Sequence, residues 1–322
     1  MFAIQVSQTG GPDALEYVEV ETPTPGPGEV LVKVSAAGVN YIDTYHREGM
    51  YPLPVPFTPG QEGAGEISTL GEGVTNWTVG DRVCWAMVGG GYAEYVSLPA
   101  DLLAPIPDGV SDDTAAAAML QGLTAHYLVT SVYPVEKGTT AVVHAAAGGV
   151  GLLLTQMVVS RGGVAIGTTS SDEKVQRAQA AGAQHVIRYD KEPWAEQVHD
   201  ITEGRGVDVV YDGVGKDTFE DSLSSLRPRG VLALYGAASG PVPPFDLQRL
   251  GAMGSLVITR PTLGHFMATP EERRWRVGEL FDTVNTGSLT VSIAARFPLR
   301  DAPEAHRAIQ SRAYSGKILL IP

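Results

Sequence analysis

The segment HAAAGGVGLLLTQ carries the clearest chemical signal in the chain, because an apolar strand, TTAVVHA, runs straight into a turn of small residues and then into an apolar helix. Backbone N–H groups at the start of such a helix can face a pyrophosphate, and only very small side chains let the two approach closely. The turn is assigned to Gly148, Gly149, Val150 and Gly151, with Ala146 standing where the first glycine of the G-x-G-x-x-G fingerprint would be. A tight strand-to-helix turn without a ligand is the plain alternative, and the strand–helix alternation on either side weighs against it.

Which dinucleotide would bind depends on the end of the next strand, GVAIGTTSSDEK. A site for NADH usually places a carboxylate there for the ribose hydroxyls, whereas a 2′-phosphate needs neutral donors and a cation. Thr168, Thr169 and Ser170 occupy the expected strand end and Lys174 follows one turn later, a combination that favours NADPH. Asp172 and Glu173 fall in the first helical turn, where acidic residues are favoured for structural reasons. Lys174 also has an ordinary reading as a solvated helix residue.

His144 and His126 invite a catalytic reading because imidazole titrates near neutral pH. His144 ends an apolar strand and has no carboxylate at a diagnostic spacing, so both histidines are assigned to structure. Thr124 and Ser131 lack the G-x-S-x-G setting of a hydrolase nucleophile. With Cys84 the only cysteine, one chain can build neither a disulfide framework nor a multi-cysteine zinc site.

The elements that must position these residues fall into two groups. Up to about Gln121 the chain reads as short strands between Gly and Pro punctuation: EVLVKVSAAGVN, GAGEISTLG, GDRVCWAMV and GYAEYVSLP. An alanine-rich stretch from Ser111 then predicts a helix, with Ser111 as its cap. From about Thr139 strands and helices alternate through six strand candidates, ending with SLVIT, as a doubly wound parallel sheet requires. The predicted division is a barrel-like domain over 1–122 and 262–322 and a dinucleotide-binding domain over 123–261.

At 322 residues, with 43% hydrophobic and 18% charged residues, the chain is long and apolar enough for two cores. Its net charge of −13 repels polyanions, and no basic stripe offsets that field, so nucleic acid is set aside as a partner. Neither a targeting peptide nor a membrane-spanning stretch is recognisable, and a cytoplasmic protein is expected.

Taken in order, AAGVNYIDTYHREGMYP, PGQEGAGEISTLGEGV, GDRV, QGLTAHYLV, HAAAGGVG, ITRPTL and SRAYSGKILLIP resemble the zeta-crystallin-like quinone oxidoreductases of the medium-chain dehydrogenase/reductase superfamily. The resemblance implies an α/β fold, with a chaperonin-10-like β-barrel domain and a Rossmann domain with a doubly wound parallel sheet. It also implies an active site between the domains, usually a homodimer, and NADPH-dependent hydride transfer to a quinone. Zinc-dependent relatives carry a metal-ligating His where this chain has Gln61, so no metal is expected. By similarity Asn40, Asp43, Tyr45 and Tyr51 line the nicotinamide and acceptor site, although each also has an ordinary reading in a turn, a cap or a buried interface. Tyr189, Gly213, Gly215, Tyr235, Gly236 and Ala237 fall at cofactor-contacting positions, and Lys174, Tyr189 and Arg312 would form the phosphate pocket. Two rival readings stay open: reduction of an activated carbon–carbon double bond, and an NADPH-binding structural or regulatory protein with little turnover.

Overall fold

Six parallel strands form one sheet in the order His185–Arg188, Val164–Thr169, Thr140–Val143, Val207–Asp212, Leu226–Leu234 and Val257–Thr259. Numbered along the chain this is 3-2-1-4-5-6, the doubly wound order in which the topology reverses beside the first strand. All six residues of Val207–Asp212 are buried, as expected of a central parallel strand covered by helices on both faces. Helices Gly149–Ser160, Asp172–Ala180, Trp194–Ile201 and Phe219–Ser224 make the crossovers. Ile166, Val198, Val210 and Leu232 are among the side chains that fill the core on one face.

The computed structural model describes residues 1–191 and 193–322, and these separate into two compact units, Met1–Leu123 with Ala268–Pro322 and Thr124–Met267. The first unit is built on a seven-stranded sheet centred on the long strand Glu29–Val39. That strand pairs antiparallel with Glu62–Leu70, Tyr95–Pro99 and the C-terminal strand Lys317–Ile321. Its core gathers Val32, Ile67, Trp85 and Leu98 with Leu299, Ala302 and Leu320 from the end of the chain.

Helix Tyr41–Glu48 follows the long strand in a region read from sequence as strands and turns. The Asp43 carboxylate reaches back to the N–H of Asn40, and Gly49 ends the helix with a left-handed backbone. Asn40, Asp43 and Tyr45 are thereby fixed on one short rigid element.

Candidate active site

Helix Gly149–Ser160 begins at the C-terminal end of strand Thr140–Val143, and its cap is Gly148, so no side chain caps it. Its first internal bond runs from Leu152 N–H to the Gly148 carbonyl, 2.9 Å. The N–H groups of Gly149, Val150 and Gly151 therefore precede the first helical bond and point toward the strand ends. A Cβ on Gly151 would lie 2.3 Å from the Ala145 oxygen and 2.8 Å from the Ala146 Cα. Ala145 itself has a positive φ of 49°, an uncommon state for a residue with a side chain. A turn this tight, open at the helix start, fits a bound pyrophosphate.

At the neighbouring strand end Thr168 and Thr169 are both buried, whereas Ser170 is partly exposed. Among the described residues the Thr169 hydroxyl has no hydrogen-bond partner. Ser171 is the residue that caps helix Asp172–Ala180, accepting from Lys174 N–H at 3.3 Å. Asp172 is tied to Arg188, and Glu173 to Arg177 at 3.1 Å, so both acids are partnered by arginines of the same unit. Tyr189, exposed, follows the next strand and donates its N–H to the Thr169 carbonyl at 3.2 Å. Across the sheet Gly213 and Gly236 pack so closely that a Cβ on Gly236 would lie 2.5 Å from the Gly213 oxygen, beside the Tyr235 ring, Ala237 and the left-handed Gly215. The candidate cofactor residues of the second unit thus gather at the C-terminal ends of its parallel strands. Arg312 belongs to the first unit, just past helix Ala302–Gln310, with a φ of 57°.

In the first unit the polar candidates sit in a buried network that sequence reasoning missed. Lys317 and Glu62, both almost completely buried, form an ion pair. The Lys317 ammonium also donates to Asn40 Oδ1 at 2.8 Å, Asn40 Nδ2 donates to Glu62 Oε1 at 2.6 Å, and Leu120 N–H donates to Glu62 Oε2 at 2.6 Å. Gln121 Nε2 reaches Asn40 Oδ1 at 3.4 Å. Both ends of the Asn40 carboxamide are therefore engaged within the protein. Gly38 leaves room for the pair, since a Cβ there would lie 2.2 Å from Glu62 Oε1 and 2.6 Å from Lys317 Cε. The available signal was a lysine opening the apolar strand KILLI and a glycine late in the strand it pairs with.

Asp43 is also fully buried, accepting from Asn40 N–H at 2.9 Å, Gln61 N–H at 3.2 Å and the Tyr92 hydroxyl at 3.2 Å. Behind Tyr92 lies His306, whose Nε2 is 3.1 Å from the Tyr92 hydroxyl and whose Nδ1 is 2.9 Å from Arg47 Nη1. A guanidinium only donates, so Nδ1 accepts and Nε2–H donates, fixing the tautomer. Tyr45 is buried and Tyr51 is exposed, their rings meeting edge-on with centroids 5.3 Å apart.

Two groups of this network titrate with opposite signs. Burial, reinforced by Arg47, pushes His306 from 6.5 down to about 3. Burial pushes Asp43 from 3.8 up to about 7, against the pull of its Asn40 N–H bond and the nearby Lys317. Below 6.5 the unfolded chain takes a proton that folded His306 refuses, so stability is lost as the pH falls from 6.5 toward 3. Folded Asp43 keeps a proton that the unfolded chain has released, so its contribution is lost as the pH rises from 3.8 to 7. The two slopes oppose each other around pH 5 to 6, each worth at most about 1.4 kcal/mol per pH unit. His306→Gln removes the first, so its melting temperature is expected to rise relative to wild type on acidification from about pH 7 to about pH 5. Parallel pH profiles for the two proteins would show that His306 is not held neutral.

Comparison with known proteins follows the same division. The family model described as "Alcohol dehydrogenase GroES-like domain" matches residues 26–108, and that described as "Zinc-binding dehydrogenase" matches residues 149–280. A quinone oxidoreductase of Pseudomonas aeruginosa is 44% identical over 99% of both chains. A 2-haloacrylate reductase of a Burkholderia species is 42% identical over 100% of this chain and 99% of its own. A mycobacterial protein solved in complex with NADPH is 50% identical and superposes with a TM-score of 0.97, all of each chain being covered.

The zinc in one of those descriptions does not fit the donor set found here. Gln61 offers an amide, Glu62 is neutralised by Lys317, and the Cys84 thiol, which burial pushes well above its ordinary range, faces the Ala104 carbonyl at 3.6 Å. Among the described residues no three His, Cys, Asp or Glu side chains are grouped to hold a metal ion. With this fold, this glycine turn and full-length identity above 40%, the chain belongs to the quinone oxidoreductases of the medium-chain dehydrogenase/reductase superfamily.

Proposed function

We propose that this protein is an NADPH-dependent quinone reductase. The observation that carries the reading is the helix start at Gly149–Gly151, open to a pyrophosphate, in a chain that matches a quinone oxidoreductase from end to end. When bound, NADPH supplies a hydride from its nicotinamide ring to the acceptor. The N–H groups of Gly149, Val150 and Gly151 hold the phosphates, and Ser170, Lys174 and Tyr189 surround the 2′-phosphate. The buried Thr169 hydroxyl, unpartnered among the described residues, is assigned to the same end as a further donor. Arg312 joins that assignment through the family resemblance.

On the acceptor side, Tyr45 and Tyr51 present the aromatic edge that a flat apolar quinone packs against. Asn40 and Asp43, whose polar atoms are taken up within the protein, support this surface from below. The similarity to a 2-haloacrylate reductase keeps a second reading in view, reduction of an activated carbon–carbon double bond, in which Tyr51 would protonate carbon. Turnover of NADPH and NADH with a simple quinone, an enal and a 2-haloacrylate, on one preparation, separates the two. Tyr51→Phe is expected to lower quinone reduction less than about threefold, whereas a loss of about 100-fold in enal or 2-haloacrylate reduction would mark Tyr51 as the proton donor of a double-bond reductase.

A homodimer formed through the edge strand Val257–Thr259, with Val257 half exposed, and a cytoplasmic location complete the reading. Among the described residues no helix is long and apolar enough to cross a membrane.

A further inference from the structure

His144 directly precedes the glycine turn, and its buried side chain joins three separate pieces of the dinucleotide unit. Nδ1 lies 2.8 Å from Thr168 Oγ1 at the end of the adjacent strand, and Nε2 lies 3.0 Å from Ser222 Oγ on helix Phe219–Ser224. Ser222 in turn donates to Asp212 Oδ2 at 3.0 Å, where Thr218 also donates at 2.7 Å. The other Asp212 oxygen receives the N–H groups of Val214 at 2.7 Å and Gly215 at 3.0 Å. The imidazole stands edge-on against the Trp194 ring, 4.7 Å between centroids.

Counting protons fixes the direction of this chain. The Asp212 carboxylate only accepts, so the single Ser222 hydroxyl proton goes to it, and Ser222 must accept from His144 Nε2–H. Burial favours the neutral imidazole, which leaves Nδ1 as an acceptor for the Thr168 hydroxyl. The bonds run Thr168 to His144 to Ser222 to Asp212, with every proton used. The Thr168 hydroxyl is therefore turned inward, away from any ligand, and leaves the hydroxyls of Thr169, Ser170 and Ser171 as donors at that strand end.

We propose that His144 is a positioning residue that locks the two flanks of the dinucleotide site together, the Thr168–Ser170 strand end and the Gly213–Gly215 loop, so that both are in place before the cofactor binds. This inference rests on the NADPH reading above. Among the described residues no carboxylate bonds His144 directly, which is why its spacing in sequence revealed nothing; the link passes through a serine 78 residues away. The role is preorganisation, so it acts on cofactor affinity rather than on the chemical step.

The test uses the full chain and four variants, Thr168→Val, Ser222→Ala, their double variant and His144→Phe, with NADPH as the probe. The expected result is an NADPH Kd raised about 10-fold in Ser222→Ala, with kcat at saturating NADPH within about twofold of wild type. Thr168 and Ser222 are each bonded to His144, so the effects of Thr168→Val and Ser222→Ala on Kd are expected to be non-additive. In ¹⁵N-histidine NMR of the free protein His144 is expected to be the Nε2–H tautomer, unchanged down to about pH 5. If His144→Phe fails to fold, the two hydroxyl variants and the NMR signature still decide. Unchanged NADPH affinity in folded hydroxyl variants, strictly additive effects, or a protonated imidazole would overturn the proposal. A wild-type protein that binds no NADPH would instead remove the cofactor reading, and this inference with it, whatever the tautomer.

Discussion

Lys317→Met is expected to lower the melting temperature of the barrel unit by about 10 °C, corresponding to about 3 to 5 kcal/mol at roughly 2 to 4 °C per kcal/mol. The side chain is almost fully buried, and its ammonium is held by Glu62 and by Asn40 Oδ1. Methionine fills a similar volume and keeps the packing, so the loss isolates the charge. Among the described residues, what remains is a buried Glu62 carboxylate with the Asn40 amide and the Leu120 N–H to solvate it. The double variant Lys317→Met with Glu62→Gln removes the orphaned charge and should recover a large part of the loss, because a buried ion pair does little net stabilising relative to neutral groups of the same shape. The network also fixes Asn40, so both variants should lower quinone turnover by more than the fraction unfolded accounts for. A single variant that melts within about 2 °C of wild type would show that the pair is solvated and that Asn40 is held by other means.

The dinucleotide unit was legible in the sequence because its signals are local. Buried strands such as VDVVYD and GVAIGTT read as continuous apolar runs, helices follow at regular intervals, and the glycine turn sits where a strand meets a helix. The order of the six strands follows from right-handed crossovers once the alternation is recognised. Helix Tyr41–Glu48 was not legible as an element, since YIDTYHRE has no long apolar stripe and the helix is held by the Asn40–Asp43 bond at its start and Gly49 at its end.

The polar interiors were hidden for a different reason. Glu62 and Lys317 are 255 residues apart, and Arg47 and His306 are 259 apart; the first pair meets because the strands of both residues pair antiparallel with Glu29–Val39, one on either side. A lysine in KILLI looks like a half-exposed strand residue until its partner is known. The family resemblance suggests Asn40 and Asp43 as acceptor-site residues without indicating that their polar atoms face inward. Residue type at a family position locates a site, whereas the direction of a hydrogen bond, which decides what a side chain can still do there, depends on contacts made across the fold.

Gly151→Ala tests the candidate cofactor turn of the second unit and is expected to raise the Kd for NADPH at least 100-fold, about 2.7 kcal/mol. The added methyl carbon would lie 2.3 Å from the Ala145 oxygen, 2.8 Å from the Ala146 Cα and 2.9 Å from the Ala145 carbonyl carbon, all backbone atoms that no rotamer change can move aside. The helix start must therefore swing away from the strand end, carrying with it the N–H groups of Gly149, Val150 and Gly151. A phosphate bound by several such donors is sensitive to a displacement of about 1 Å, because each bond weakens steeply as its distance and angle depart from ideal. Gly148→Ala provides the contrast: its Cβ would meet the Ala145 oxygen at 3.1 Å, a tight contact that a few tenths of an ångström relieve, so affinity should fall by less than about 10-fold. Binding followed by titration calorimetry on both variants, with melting curves to establish that each is folded, decides the matter. Wild-type affinity in a folded Gly151→Ala protein would mean that the phosphates are held elsewhere, and the assignment of this turn as the cofactor cradle would be withdrawn.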